Sequence, residues 1–179
     1  MKRGMLKVLF KVAAPVVLAL AALVWWANAP DSAPLPARAV ADSVFVDKSE
    51  RALTLFRHGR PLKRYRVALG GAPAGHKAAE GDERTPEGSY LLDWRNPRSS
   101  AYRSLHVSYP AAADRARAAA RGVQPGGMIM IHGITNRLGW LGRLHRSLDW
   151  TDGCIAVANW EMAEIYRAFP GRTPIVIRP

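Results

Sequence analysis

Ser43-Val44-Phe45-Val46, then the polar Asp47-Lys48-Ser49-Glu50, then Arg51-Ala52-Leu53-Thr54-Leu55-Phe56, is the stretch on which the fold turns. Two short runs rich in β-branched and aromatic residues, separated by a polar turn, read as an antiparallel hairpin. His58-Gly59-Arg60-Pro61 interrupts the chain again before Leu62 to Leu69, which supplies a third strand and makes a meander. Further along, Gly88 to Trp94, Ser104 to Tyr109, Met128 to Ile131 and Thr173 to Ile177 add β-like runs, the last two apolar enough for central strands. A mainly β domain is therefore expected.

Two segments read as helices. Ala111 to Arg121 is rich in Ala and Arg and stops at Gly122. In the second, Asn159 is expected to cap the N-terminus and Glu161 to meet the positive end of the helix dipole. Met162, Ile165, Tyr166 and Phe169 then fall at i, i+3, i+4 and i+7, one apolar stripe facing the sheet. Their spacing makes them core rather than a ligand site. The connection from Gly133 to Thr151 shows no clear periodicity and is longer than most loops of compact domains, which marks it as functional or disordered.

The chain opens with Lys2, Arg3, Lys7 and Lys11, followed by Val12 to Ala29, 18 residues without a charge. Basic residues before an apolar run, with Trp25 and Trp26 near its far end, are the pattern of an export signal or membrane anchor. Ala27-Asn28-Ala29 has the small-x-small form of a cleavage site, but Pro30 follows it directly and favours an uncleaved anchor. The division expected is thus residues 1–29 as signal peptide or anchor, 30–41 as a Pro/Ala-rich linker and 42–179 as the folded domain. The remainder would then lie in the periplasm, tethered to inner-membrane lipid or released by the general export route.

Lys plus Arg number 26 against 14 acidic residues, a formal charge of +12. Such an excess suits anionic partners, among them phospholipid and carboxylate-rich wall polymers. Nucleic acid is not expected as a partner, because an exported chain without a basic-aromatic strand motif does not meet it. No cluster of His, Cys, Asp and Glu has metal-ligand spacing and no phosphate loop appears, so no cofactor is expected.

Cys154 is the only cysteine, so it cannot form an internal disulfide in an oxidising compartment. His132 stands at the end of the apolar run Met128 to Ile131, and Cys154 follows 22 positions later, flanked by Gly153 and Ile155-Ala156-Val157. A thiol attacks as thiolate, and an imidazole within reach can take its proton. Gly153 allows a tight turn that aims backbone N–H groups, with Thr151 and Asp152 beside it, at a developing oxyanion. By spacing alone, a packed thiol with an incidental histidine would give the same pattern, and His145 is a rival base.

The residues Ile131-His132-Gly133 and Thr151-Asp152-Gly153-Cys154-Ile155 resemble the signature of the L,D-transpeptidase family (YkuD-type catalytic domain), in which a His-Gly pair precedes a Ser/Thr-x-Gly-Cys element. The similarity extends from Val44 to Arg178, through Leu69-Gly70, Lys77, Gly81-Asp82, Arg84 to Gly88 and Leu105 to Pro110. It implies a β-sandwich with one or two short helices, Cys154 as nucleophile on a loop beside the sheet and His132 as base. It also implies peptidoglycan stem peptides containing diaminopimelate as substrates. Cross-links, or attachment of a lipoprotein to the wall, would be the products, with hydrolysis through the same Cys-His pair as the alternative. His106 and Trp140 are candidates to line the substrate cleft. The chain departs from the commoner family pattern at Asp152, at Ala156 and Val157, and in the wide interval between His132 and Cys154. A wall-binding module with an inert cysteine is the competing reading from another class.

Overall fold

The computed structural model describes the backbone of residues 2–179 and the side chains of residues 13–179. Met1 and the basic flank at Lys2, Arg3, Lys7 and Lys11 lie outside the residues whose side chains are described. Helix α1 runs Lys2–Asn28, and strands β1 (Ser43–Asp47), β2 (Ala52–Arg57) and β3 (Arg60–Arg66) follow. Next come β4 (Gly88–Ser99), β5 (Tyr102–Val107), α2 (Ala112–Ala120) and β6 (Met130–His132). A 3-10 segment (Gly139–Ser147), β7 (Ile155–Ala156), α3 (Asn159–Ala168) and β8 (Thr173–Arg178) complete the chain.

The hairpin that opened the reading is present, with Val44 opposite Leu55 and Val46 opposite Leu53. The sheet, however, is one continuous eight-stranded layer in the order β3-β2-β1-β8-β4-β5-β6-β7, not the two sheets of a sandwich. It curls on itself. Just past β3, Ala68 exchanges two backbone hydrogen bonds with Ala156 of β7, at 2.9 and 2.8 Å, and Gly70 bridges Thr151. The two ends of the strand order are thereby stitched together, and the edges that an open sheet would expose find partners. β1–β8 and β6–β7 are parallel pairs; the remaining pairs are antiparallel.

Alternation along the strands fills the interior of the curl with Val44, Val46, Leu53, Leu55, Leu92, Leu105, Ile131, Ile155, Ile175 and Ile177. Helix α3 adds Met162 and Ile165 from its apolar stripe, with Phe169 just beyond its end in the core and Tyr166 packed partly buried beside them, as the spacing predicts. Each such side chain contributes about 1.5–3 kcal/mol on burial.

Three sequence expectations shift. The N-cap of α3 is Ala158 rather than Asn159. Glu161 reaches back to accept from the Ala158 N–H at 2.9 Å, which frees the Asn159 side chain to accept from Ile134 N–H at 2.8 Å. β4 extends five residues beyond Trp94, to Ser99, because its far half pairs with β5 after a bulge. The stretch 30–41 is laid against the domain rather than loose, with Leu35 in the core and its N–H donating to Glu164 at 3.0 Å. Of the two readings open for the connection Gly133 to Thr151, disorder is the one set aside: its middle is wound into 3-10 turns that kink at Gly142.

Among the residues whose side chains are described, no helix is long and apolar enough to cross a membrane.

Candidate active site

β6 and β7 are short, but their parallel register decides the site. Ile131 is level with Ile155, and His132 with Ala156. Both isoleucines point into the core with no exposure. Residues one step away must point to the opposite face, so Met130, His132 and Cys154 share the face of the sheet turned away from that core. His132, the last residue of β6, and Cys154, the residue just before β7, are therefore diagonal neighbours. Twenty-two residues of separation in the chain are closed by one short parallel ladder.

The turn before Cys154 is tied by Thr151. Its hydroxyl donates to the Cys154 carbonyl at 2.7 Å and accepts from Gly153 N–H at 3.2 Å. Gly153 has φ +117, and a methyl built on it would lie 2.5 Å from the Arg84 carbonyl oxygen, so both backbone conformation and space demand glycine. The Gly153 amide is thus already engaged. The neighbouring Asp152 and Cys154 amides make no backbone hydrogen bond among the described residues and remain available to a developing oxyanion. The Asp152 side chain is exposed to solvent.

In the resting structure the Cys154 thiol interacts with backbone. Its sulfur accepts from Met130 N–H at 3.4 Å and lies 3.7 Å from the Met128 carbonyl. Burial pushes the thiol upward from its ordinary range, the charge of Asp152 adds to that, and the Met130 N–H and Lys77 pull the other way. Lys77 itself is buried and paired with Asp82 at 2.8 Å.

His132 is buried, and its Nδ1 lies 2.6 Å from the Gly133 carbonyl. A carbonyl only accepts, so Nδ1 carries the proton and Nε2 is left with its lone pair. Burial lowers the imidazole below the usual histidine range, against the opposing pull of that carbonyl. The site at neutral pH therefore holds a thiol beside a neutral imidazole whose free nitrogen is basic. Proton transfer on attack would separate charge only when a substrate oxyanion forms to balance it.

Trp150 packs edge-on against His132, with ring centroids 5.9 Å apart, and its indole N–H donates to His145 Nδ1 at 3.2 Å. His145 is buried, and burial holds it down at about 4, with Arg146 and His132 adding to the effect. It supports Trp150 rather than facing the thiol. The sequence assigns no site role to Trp150 or Lys77; Lys77 stands among the family-like residues, and the signal for Trp150 is its adjacency to Thr151.

His106 of β5 is level with Met130 and so stands on the same face as Cys154, two strands across. It is held by Asp93 at 2.7 Å and stacked on Trp94 at 5.0 Å. Trp140 goes elsewhere: it lines a cleft with Val24, Trp25 and Asn28 of α1, away from His132. Ala156 and Val157 are wholly buried, so the positions after the cysteine serve the ladder. No group of three or more His, Cys, Asp or Glu among the described residues could hold a metal ion.

The family model for the L,D-transpeptidase catalytic domain (YkuD) matches residues 41–177. No curated protein matches the chain. Among solved structures, the helical cell shape determining protein Pgp2 from Campylobacter jejuni is similar at 21% identity and TM-score 0.60, over 87% of this chain and 54% of that one. Bd1075 from Bdellovibrio bacteriovorus is similar at 25% identity and TM-score 0.52, over 78% of this chain and 47% of that one. An L,D-transpeptidase from Mycobacterium smegmatis shares the fold at 15% identity and TM-score 0.51, over 78% of this chain and 59% of that one. This chain spans about half the length of the structures it resembles.

Proposed function

Because the chain belongs to the L,D-transpeptidase (YkuD) catalytic-domain family, we propose that it is an L,D-transpeptidase acting on peptidoglycan stem peptides through a Cys154 thioester. One observation carries this reading: Cys154, just before β7, and His132, at the end of the parallel neighbour β6, share one face, and the Gly133 carbonyl fixes the imidazole in the tautomer that a base requires. An inert cysteine needs no such neighbour.

The steps follow from the groups present. Cys154 turns from the Met130 amide to the carbonyl carbon of a diaminopimelate residue, and His132 Nε2 takes the thiol proton as the S–C bond forms. The oxyanion is met by the Cys154 and Asp152 amides. Collapse breaks the bond to the terminal D-alanine, whose nitrogen takes the proton from His132. An acceptor amine then gives its proton to His132, attacks the thioester and restores the thiol. A diaminopimelate amine gives a cross-link, a lipoprotein lysine gives attachment to the wall, and water gives trimming. The basic surface suits a carboxylate-rich polymer. The same reading places the domain in the periplasm, with α1 as a retained inner-membrane anchor.

Incubation with a diaminopimelate-containing disaccharide tetrapeptide, followed by mass spectrometry, tests the reading. Dimers mean transpeptidation, and tripeptide alone means the hydrolase alternative. Absence of both, with no carbapenem mass added at Cys154, sinks the reading.

A further inference from the structure

Twelve of the sixteen large apolar side chains left exposed among the described residues lie either on α1 or on the loop between β6 and β7. On α1 they run from Val16 to Trp26, and residues 13–26 are exposed all round. On the loop they are Leu138, Trp140, Leu148 and Trp150, with Leu148 75% exposed. Scattered exposed apolar residues need no explanation, whereas a contiguous set marks a binding surface.

The two groups are joined by specific contacts. Ala27 is fully buried, and a methyl on Gly142 would overlap its carbonyl oxygen; Gly142 also has φ +49. Asn28 Nδ2 donates to the Trp140 carbonyl at 2.7 Å. Arg143 donates to the Ala29 carbonyl and lies over the Trp26 ring, 4.9 Å from its centroid. The last turn of α1 and the 3-10 segment are therefore one packed unit. Trp25 and Trp140 share a cleft at the junction. Beneath the outer residues lies an apolar cavity of about 230 Å³, lined by Leu138, Leu141, Leu144, Leu148 and Trp150.

From this packing we infer that the outer face of the loop, Leu138, Trp140 and Leu148, is a second membrane-contacting surface whose partner is the phospholipid bilayer that α1 enters. The inference rests on α1 being the anchor proposed above. Docking fixes the loop within one helical turn of Trp25 and Trp26, so a bilayer around α1 has its headgroup layer at the loop. Tryptophan prefers that layer, with its ring in the apolar boundary and its N–H in the wet region. Exposed Arg137, next to Leu138, suits the phosphates. Trp150 of the same loop packs on His132, so seating the loop on lipid holds the candidate catalytic pair at the membrane surface.

The lone thiol makes a direct test possible in the full chain. C154A/L148C and C154A/L138C, labelled with an environment-sensitive fluorophore, are reconstituted into phosphatidylethanolamine/phosphatidylglycerol vesicles. C154A/V123C, beyond α2, is the control. Membrane contact predicts a blue shift and loss of iodide quenching at 148 and 138 but not at 123. If the protein floats with the vesicles while both loop labels stay open to iodide, the surface proposal is wrong and the anchor stands. Failure to float removes the anchor reading and this one with it. Protection already present in detergent, with a doubled mass, would show a second copy on the face and overturn lipid as its partner.

Discussion

Replacing Arg146 by Met tests how the loop is held. The guanidinium is 4% exposed, 2.7 Å from Glu161, which is equally buried. It also donates to the Arg66 carbonyl at 3.2 Å and lies 3.3 Å from Asp31, so one side chain joins the loop to α3, the end of β3 and the stretch before β1. Methionine matches its length but leaves the Glu161 carboxylate buried with only the Ala158 N–H to satisfy it. Removing one partner of a buried pair costs about 3–5 kcal/mol. For a chain of this size each kcal/mol moves Tm by about 2–4 °C, so a fall of about 6–20 °C is expected at pH 7. The sign with pH is fixed as well. Burial already raises the Glu161 carboxyl against the pull of Arg146, and loss of that pull raises it further. The penalty is full above the folded-state value and disappears as pH falls towards the ordinary carboxylate range. Urea unfolding followed by circular dichroism gives the ΔΔG, and the R146M/E161Q double variant should recover most of it, since a neutral amide needs no cation. A loss below about 1 kcal/mol for R146M, or no recovery in the double variant, would refute a buried ion pair as the loop's fastening.

Four further outcomes are expected. C154A should lose carbapenem acylation completely, and H132Q should slow it by about 10²–10⁴-fold while near-native unfolding is retained. G153A should lower both stability, by more than about 1 kcal/mol, and acylation rate, because alanine must adopt φ +117 with its methyl against the Arg84 carbonyl. D152N should shift the alkylation midpoint of Cys154 to lower pH, since the Asp152 charge opposes the thiolate; an unchanged iodoacetamide profile would contradict that field. His145, held at about 4 against an ordinary 6.5, stays neutral in the folded state while the unfolded chain takes a proton. Stability should therefore fall by on the order of 3 kcal/mol between those two pH values, and H145Q should flatten the fall.

Much of the architecture was legible because strand alternation and turn residues are local signals. Val44-Phe45-Val46 and Leu53-Thr54-Leu55 could bury one face only as strands, and the stripe of α3 could pack only on its Met162 side. The single curled sheet was not legible. It depends on Ala68 meeting Ala156, a pairing of two small residues with no pattern to announce it. The cap of α3 was misread for a related reason: Asn159 has the right chemistry for a cap, but Ile134 competes for its oxygen from across the fold.

At the candidate site, sequence alone determined the residue types. Cys154 is the one thiol, His132 closes an apolar strand, and Gly153 sits where a turn must be tight. Tertiary structure decided how they are poised. Parallel register of β6 with β7 puts thiol and imidazole on one face, the Gly133 carbonyl selects the tautomer, and burial disfavours the charged form of both groups. Those properties depend on which backbone atoms come within hydrogen-bond distance, and on how much water the fold removes, neither of which is encoded in the spacing of residues along a chain.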